Sequence, residues 1–402
     1  MSVTTPEGFH AGGVACGIKS PEAADLALVA TDDGRPVTAA AVFTDNLAAA
    51  APVQVSRSHL LASGGQAAAV ILNSGNANAA TGAAGRVAAV RMCATTAAGV
   101  GCRPEQVLVC STGLIGIPLP IDTVIAGIPK VLADRDGGGG SRAARAIMTT
   151  DTFAKQVVVA GPGFSVGGMA KGAAMLAPHM VSPAGGAGGG SPSATMLAVL
   201  TTDAVVEAAV LQRSLADAVA RSFNQLTVDG ATSTNDTVIV LASGRSPVAP
   251  SPGELTEALL AACADLAGQM ATDAEGATKV VRVRVTGAAS AADAAAGARK
   301  VAQSQLVKCS WFGQDPYWGR IVSDLGSAAI AFDIDRVRVS YGGVTVCDGG
   351  VAVSGYEPAV LAAVMAERQL EVVADLGLGA GEATIVTADL SHAYIDENMR
   401  TS

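Results

Sequence analysis

Residues 188–204 read "GGGSPSATMLAVLTTDA", and the stretch changes character at one peptide bond, between Ala194 and Thr195. Upstream, Gly, Pro and Ser offer little that a packed element could bury. Downstream, 196–200 is a short apolar run, the pattern of a buried strand. Threonine is an ordinary strand opener, and composition alone favours that reading. Thr195 also carries a hydroxyl at the head of a rigid element, next to a loop able to distort, with the small Ala194 before it. If the bond before Thr195 is cut, the new α-amino group has a reference pKa of about 7.7–8.0 and lies beside the hydroxyl as its base. That is N-terminal-nucleophile chemistry.

Outward from this stretch, short β-branched runs alternate with alanine-rich helical stretches, which predicts an α/β or α+β chain with layered architecture. "AAAVILNSG" (67–75) and "QVLVCSTGLIG" (106–116) read as strands ending in polar turns, and "KQVVVAGPGFSVGGMAKGAAML" reads as a hairpin with strands at 155–160 and 164–170. Helices are expected over 83–99, 121–134, 141–148, 204–222 and 252–270, the last opened by a capping box of Ser251 and Glu254. "KVVRVRVTG" (279–287) alternates valine with arginine, as a strand with one wet face does. "VSPAGGAGGGSPS" (181–193) is the one low-complexity insert, and it divides the chain almost in half.

The bulk numbers bound the function. The chain has 402 residues and half of them are hydrophobic, which predicts two or three domain-sized units with a sizeable core. Mean hydropathy is +0.41, yet no apolar run reaches the roughly 18 residues of a membrane span. The start lacks the basic and apolar regions of a secretory signal, so a cytoplasmic address is expected. Net charge is −9, and with 7 Phe, 4 Tyr and 2 Trp there is little for bases to stack on, which argues against nucleic acid. His10, His59, His179 and His392 are scattered and in no ligand pattern, so no metal site is expected. The 7 cysteines show no C-x-x-C spacing and read as reduced, mostly buried thiols.

Several blocks in register carry more than any one of them. "AAAVILNSGNANAATG", "VLVCSTGLIG", "AIMTTDT", "GGMAKGAAMLAPHM", "ATMLAVLTTDA", "DGATSTNDTV", "DAEGATK", "SQLVKCSWFGQDPYWGR" and "DLSHAYIDEN" together closely resemble the ornithine acetyltransferase family, the bifunctional glutamate N-acetyltransferases of arginine biosynthesis, over almost the whole chain. The resemblance implies a fold of the DmpA/ornithine acetyltransferase kind. It also implies a precursor cut between Ala194 and Thr195 into an α chain, 1–194, and a β chain, 195–402. Thr195 would take acetyl from N-acetylornithine and pass it to glutamate through an acetyl ester, with no cofactor. Acetyl-CoA stays open as an alternative donor, and an α2β2 assembly is implied.

The remaining roles carry over residue by residue. Thr112 and Gly113 match an oxyanion hole, whose donors stabilise the tetrahedral intermediate. Lys171, Glu275 and Asn398 match substrate contacts, as does "IMTTD", where Thr149 is favoured over Thr150. "NSGNAN", with Asn73, Asn76 and Asn78, lines a site or forms a structural turn, the turn being favoured.

The sequence departs from the family in four places. The insert separates "PHM" from Ala194, and ungapped counting from Lys171 would put Ser182 in the nucleophile's slot; Thr195 is preferred because it keeps a strand behind it. Tyr317 stands where asparagine is usual, Cys309 and Ser310 where Thr-Ala is common, and with the tail one residue shorter the terminal hydroxyl contact falls to Ser402 or is lost. Two rivals stand beside the acetyltransferase reading: a paralogue acting on another amino acid, and an uncleaved scaffold.

Overall fold

A computed structural model describes residues 2–20, 22–183 and 196–399. The chain forms two compact units, neither continuous in sequence: one of Met1–Asn224 with Ala231–Asp273, the other of Gln225–Gly230 with Ala274–Ser402.

The first unit is built on two sheets. One is four-stranded, in the order Phe9–Val14, Leu26–Thr31, Ala69–Asn73, Val107–Ser111. Its side chains alternate between faces, as the two-residue strand period requires. Leu26, Leu28, Ile71 and Val109 face a core shared with the helices Gly82–Val100 and Ile121–Asp134, while Ala27, Val29, Leu72 and Leu108 face the second sheet. That sheet contributes Phe43, Met169, Val199 and Ile239 to the common interior. Its outer face is covered by the helices Ala208–Ala220 and Pro252–Thr272. The result is a four-layer α/β sandwich, helix, sheet, sheet, helix, in accord with the expected fold class.

The order in the second sheet fixes everything near the candidate site. It runs Gln66–Ala67, Val37–Thr44, Thr237–Ala242, Leu197–Thr202, Phe164–Lys171, Lys155–Gly161. The strand Leu197–Thr202, buried along its whole length, is parallel to Thr237–Ala242 and antiparallel to Phe164–Lys171, with Leu197 opposite Lys171. Strands from either side of residue 194 therefore interleave within one sheet.

The second unit carries a seven-stranded sheet in the order Leu226–Thr227, Gly381–Ala388, Val280–Ala288, Gln369–Asp375, Arg338–Tyr341, Val344–Asp348, Val351–Ala352. Val281, Val283 and Val285 point into a core with Trp311, Tyr341 and Leu325. Arg282 is exposed on the opposite face and Arg284 pairs there with Glu382, which is the wet face the alternation predicts. Trp311 is fully buried there, Phe312 meets the His392 ring edge-on, and the exposed Tyr317 ring lies under the Arg320 guanidinium. Cys309 is exposed, whereas Cys93, Cys110, Cys263 and Cys347 are buried.

The predicted helices form with small shifts. The one expected over 204–222 begins at Ala208, because Val205 N–H donates to Val248 O and Ser246 N–H to Asp203 O, holding the chain extended for longer. The capping box is present: Ser251 Oγ accepts from Glu254 N–H, and the Glu254 carboxylate accepts from Ser251 N–H. Among the described residues no helix is long and apolar enough to cross a membrane.

Trp311 tests the core of the second unit. Truncation to alanine leaves a large buried void, and Trp311→Ala should cost about 3–5 kcal/mol in a urea titration. A loss under about 1 kcal/mol would show that this indole does not anchor the core.

Candidate active site

Thr112 follows the strand Val107–Ser111, where the chain turns over the "NSGNAN" segment. Its N–H donates to Asn73 O, so the hydroxyl and not the amide is what Thr112 can offer a ligand. Gly113 has φ +129°, and a Cβ there would lie 2.3 Å from the Gly75 carbonyl carbon and 2.5 Å from Asn76 N. Only glycine permits this approach. The amides of "NSGNAN" are spent on the backbone: Asn73 Nδ2 donates to Asn76 O, Asn76 Nδ2 to Ile117 O, and Asn78 Nδ2 to Gly85 O. Asn78 takes a left-handed φ of +47°. The segment is a structural turn that supports Thr112 and Gly113.

Lys171, the last residue of its strand and nearly buried, brings three predicted positions together. Its Nζ donates to Thr149 Oγ1 at 2.7 Å and to Thr112 Oγ1 at 3.2 Å. Thr150 is exposed and makes neither contact. A half-open cavity of about 280 Å³ lies beyond the same turn, lined by Leu47, Gln54, Arg86, Ile115 and Thr234 among others, and holds none of these three residues.

Behind Lys171 lies a buried charge network that sequence reasoning missed. Asp151 Oδ1 accepts from Lys155 Nζ at 2.7 Å and from Gly172 N at 2.7 Å; Oδ2 accepts from Thr149 N at 3.0 Å and stands 3.9 Å from Lys171 Nζ. Lys155 is wholly buried and donates at 2.5 Å to Asp273, whose carboxylate also accepts from the Thr152 hydroxyl and amide. Burial by itself would raise the Asp151 carboxyl, but the charges of Lys171 and Lys155 override it and hold it at about 2. The hint in the sequence was Asp151 inside "TTDT"; nothing there pairs Lys155 with Asp273.

A second acid was missed as well. Asp236 is fully buried, Oδ1 accepts from Met196 N at 2.8 Å, and Oδ2 has no hydrogen-bond partner among the described residues. Burial pushes this carboxyl up to about 7, against the lowering effect of the Met196 amide and of Lys171.

Glu275 and Asn398 lie in the second unit, where Asn398 Nδ2 donates to Glu275 Oε2 at 2.8 Å. The helix His392–Asn398 is tied to the "DAEG" loop because Ser391 Oγ donates to Gly276 O, and a Cβ on Gly276 would lie 2.2 Å from Tyr394 N. Ser182 follows the short strand Met180–Val181, which pairs with Val37–Thr44, and its Oγ accepts from Gln212 Nε2 at 3.3 Å. Ala194, Thr195 and Ser402, together with most of the 181–193 insert, lie outside the described residues.

Two measurements follow from this geometry. Gly113→Ala forces a Cβ into the Gly75 backbone, and any activity of the site should fall at least tenfold while the fold, by circular dichroism, persists; an unaffected rate would mean that the turn is not part of the site. Asp151 is depressed on folding, so its stabilising contribution is complete above its unfolded value of about 3.9 and is lost as pH falls through about 2. Urea midpoints measured from pH 5 to pH 2 should drop across that window, and a flat profile would contradict the network.

The chain is similar to known proteins over its whole length. The model of the ArgJ family matches residues 10–401. "Arginine biosynthesis bifunctional protein ArgJ" of Mycobacterium bovis is 47% identical over 410 residues, covering 100% of this chain and 96% of the relative. The protein of the same name from Thermobifida fusca is 44% identical over the full length of both. Among solved structures, ArgJ from Bacillus halodurans is similar at 33% identity and a TM-score of 0.46, covering 49% of this chain and 95% of that one. Ornithine acetyltransferase from Mycobacterium tuberculosis, solved with ornithine, is similar at 43% identity and a TM-score of 0.41, covering 45% and 96%. With the family model matched from residue 10 to residue 401 and relatives above 40% identity end to end, this chain belongs to the ArgJ family.

Proposed function

We propose that the chain cuts itself between Ala194 and Thr195 and then moves acetyl from N-acetylornithine to glutamate through an ester on Thr195. The coarser statement, an acetyltransferase of arginine biosynthesis, follows from family membership. The observation that carries the finer one is the Lys171 contact with both Thr112 and Thr149, made from the strand position opposite Leu197, two residues after Thr195.

The chemistry is assigned as follows. Cleavage frees the α-amino group of Thr195, which takes the hydroxyl proton as Oγ attacks the acetyl carbonyl. The Thr112 hydroxyl and Gly113 N–H stabilise the oxyanion, each such donor being worth about 10²–10³ in rate. Collapse expels the ornithine amine, which receives the proton, and glutamate's amine then attacks the ester to regenerate Thr195. Lys171 and Thr149, with Thr150 beside it, receive the substrate carboxylate in this reading; for Glu275, Asn398 and Ser402 a substrate contact is what the family resemblance implies. The site needs no cofactor, and acetyl-CoA is left as an alternative donor.

Thr195 is preferred to Ser182 on two grounds. Ser182 follows a strand separated from Leu197–Thr202 by two others, Val37–Thr44 and Thr237–Ala242. Thr195 stands directly before Met196, whose N–H is fixed by Asp236. Interleaved strands would keep the two fragments together after the cut, so α (1–194) and β (195–402) form one protomer, and two protomers make the α2β2 assembly.

Intact mass under denaturing conditions tests the cut. Two fragments are expected, one beginning at Thr195, which co-elute in native gel filtration; Thr195→Ala should give a single chain of 39.6 kDa. A wild-type protein that stays whole, or a Thr195→Ala variant that still splits, sinks this reading. Acetyl transfer from N-acetylornithine to glutamate by the purified protein tests the substrate.

A further inference from the structure

Lys171 does more than wait for a carboxylate. An ammonium has three donors and no acceptor, so a threonine oxygen it contacts can only accept from it. With a lone pair of Thr112 Oγ1 committed to Lys171, and its own N–H committed to Asn73 O, the remaining donor of Thr112 is its O–H, turned away from Lys171. A neutral amine in the same place has a lone pair of its own. Thr112 could then donate to Lys171, and the hydroxyl would face the wrong way for an oxyanion.

We infer that Asp151 is a positioning residue: it keeps Lys171 an ammonium, and the ammonium fixes the Thr112 hydroxyl as a donor to the oxyanion. This rests on the reading of Thr112 as an oxyanion donor and goes beyond it by assigning a function to the buried charges behind the site. Asp151 is suited to the task because each carboxylate oxygen is already held. Gly172 N and Lys155 Nζ secure one, and Thr149 N secures the other, on the side facing Lys171. Thr149 is thereby placed twice, by its amide on Asp151 and by its hydroxyl under Lys171.

Among the described residues, further charges near this cluster are Lys19, itself beside Asp25, from the N-terminal segment, Lys155 and Asp273 behind Asp151, and Asp236 beside Met196. Lys19 is anchored to Met148 O and Ala24 O, and Asp25 is occupied by the amides of residues 16–19. Asp273 is saturated by Lys155 and Thr152. Asp236 is bonded to Met196 N on the neighbouring strand, and Lys19 repels. Asp151 is the acid bonded to the same loop as Lys171's own partner Thr149.

The test separates charge from mere packing. Asp151→Asn keeps the shape and removes the charge, and an opposite charge at this distance holds an amine up by about one unit or more. The pH dependence of Lys171 acetylation by acetic anhydride, read by peptide mass spectrometry, should shift down by at least that much in Asp151→Asn, whether or not the protein transfers acetyl. The alkaline limb of kcat should shift with it, with KM for the acetyl donor changed by less than about threefold. In Thr112→Val the rate should fall by about 10²- to 10³-fold and the alkaline limb should vanish, because the hydroxyl it governs is gone. Thr112→Ser should restore both.

An unshifted Lys171 titration in Asp151→Asn overturns the inference, as does an alkaline limb that persists in Thr112→Val. If Asp151→Asn does not fold, the Thr112 pair decides alone. A wild-type protein with the Lys171 shift but no acetyl transfer would defeat the proposed function and leave Asp151's hold on Lys171 standing.

Discussion

The strand Leu197–Thr202 lies between Phe164–Lys171 on one side and Thr237–Ala242 on the other, and the site is arranged from that placement. Leu197 pairs with Lys171, which sets where the ammonium ends up. Met196 N–H is held by Asp236, at the head of the neighbouring strand, and Thr237 N–H returns to Met196 O. Backbone ladders on both sides of a buried strand resist displacement, because each broken bond would leave an unpaired polar group without water. Met196, where the described strand region begins, is therefore held by both of its backbone polar groups.

The second constraint is electrostatic. Lys155, with no exposed surface, is held by two carboxylates, and one of those also faces Lys171. Burying four charges is costly, and an apolar replacement often packs as well or better. The arrangement gives a fixed geometry, with Asp151 joined to Thr149 N, Gly172 N and two ammonium groups at once. A loop of threonines, which solvent would leave to wander, is tied to a strand end and to the end of the helix Pro252–Thr272.

The second unit has its own interior, built on Trp311 and the valines of Val280–Ala288. The departures at Tyr317, Cys309 and Ser310 fall in that unit and are absorbed locally. Tyr317 is covered by Arg320, Cys309 faces outward on its helix, and Ser310 Oγ donates to Val307 O. None of the three disturbs the hydrogen bond between Glu275 and Asn398.

Much of the architecture was legible in the sequence because periodicity is local. The valine–arginine alternation of 279–287, the capping box at Ser251 and the hairpin of 155–170 each depend on neighbours a few residues apart. The motif blocks likewise singled out Thr112, Thr149 and Lys171, which the fold brings within hydrogen-bonding distance. What only tertiary structure decided were pairings across long separations. Lys155 meets Asp273, Asp236 holds Met196, and Asn235 bonds Ser111 O, none with a spacing that a sequence pattern could register. Nor could composition show that each compact unit is discontinuous in sequence, because strand order is set by sheet hydrogen bonding and buried area. The change of character at 188–204 marked a place in the chain, and the sheet decided what the strand Leu197–Thr202 that follows it adjoins.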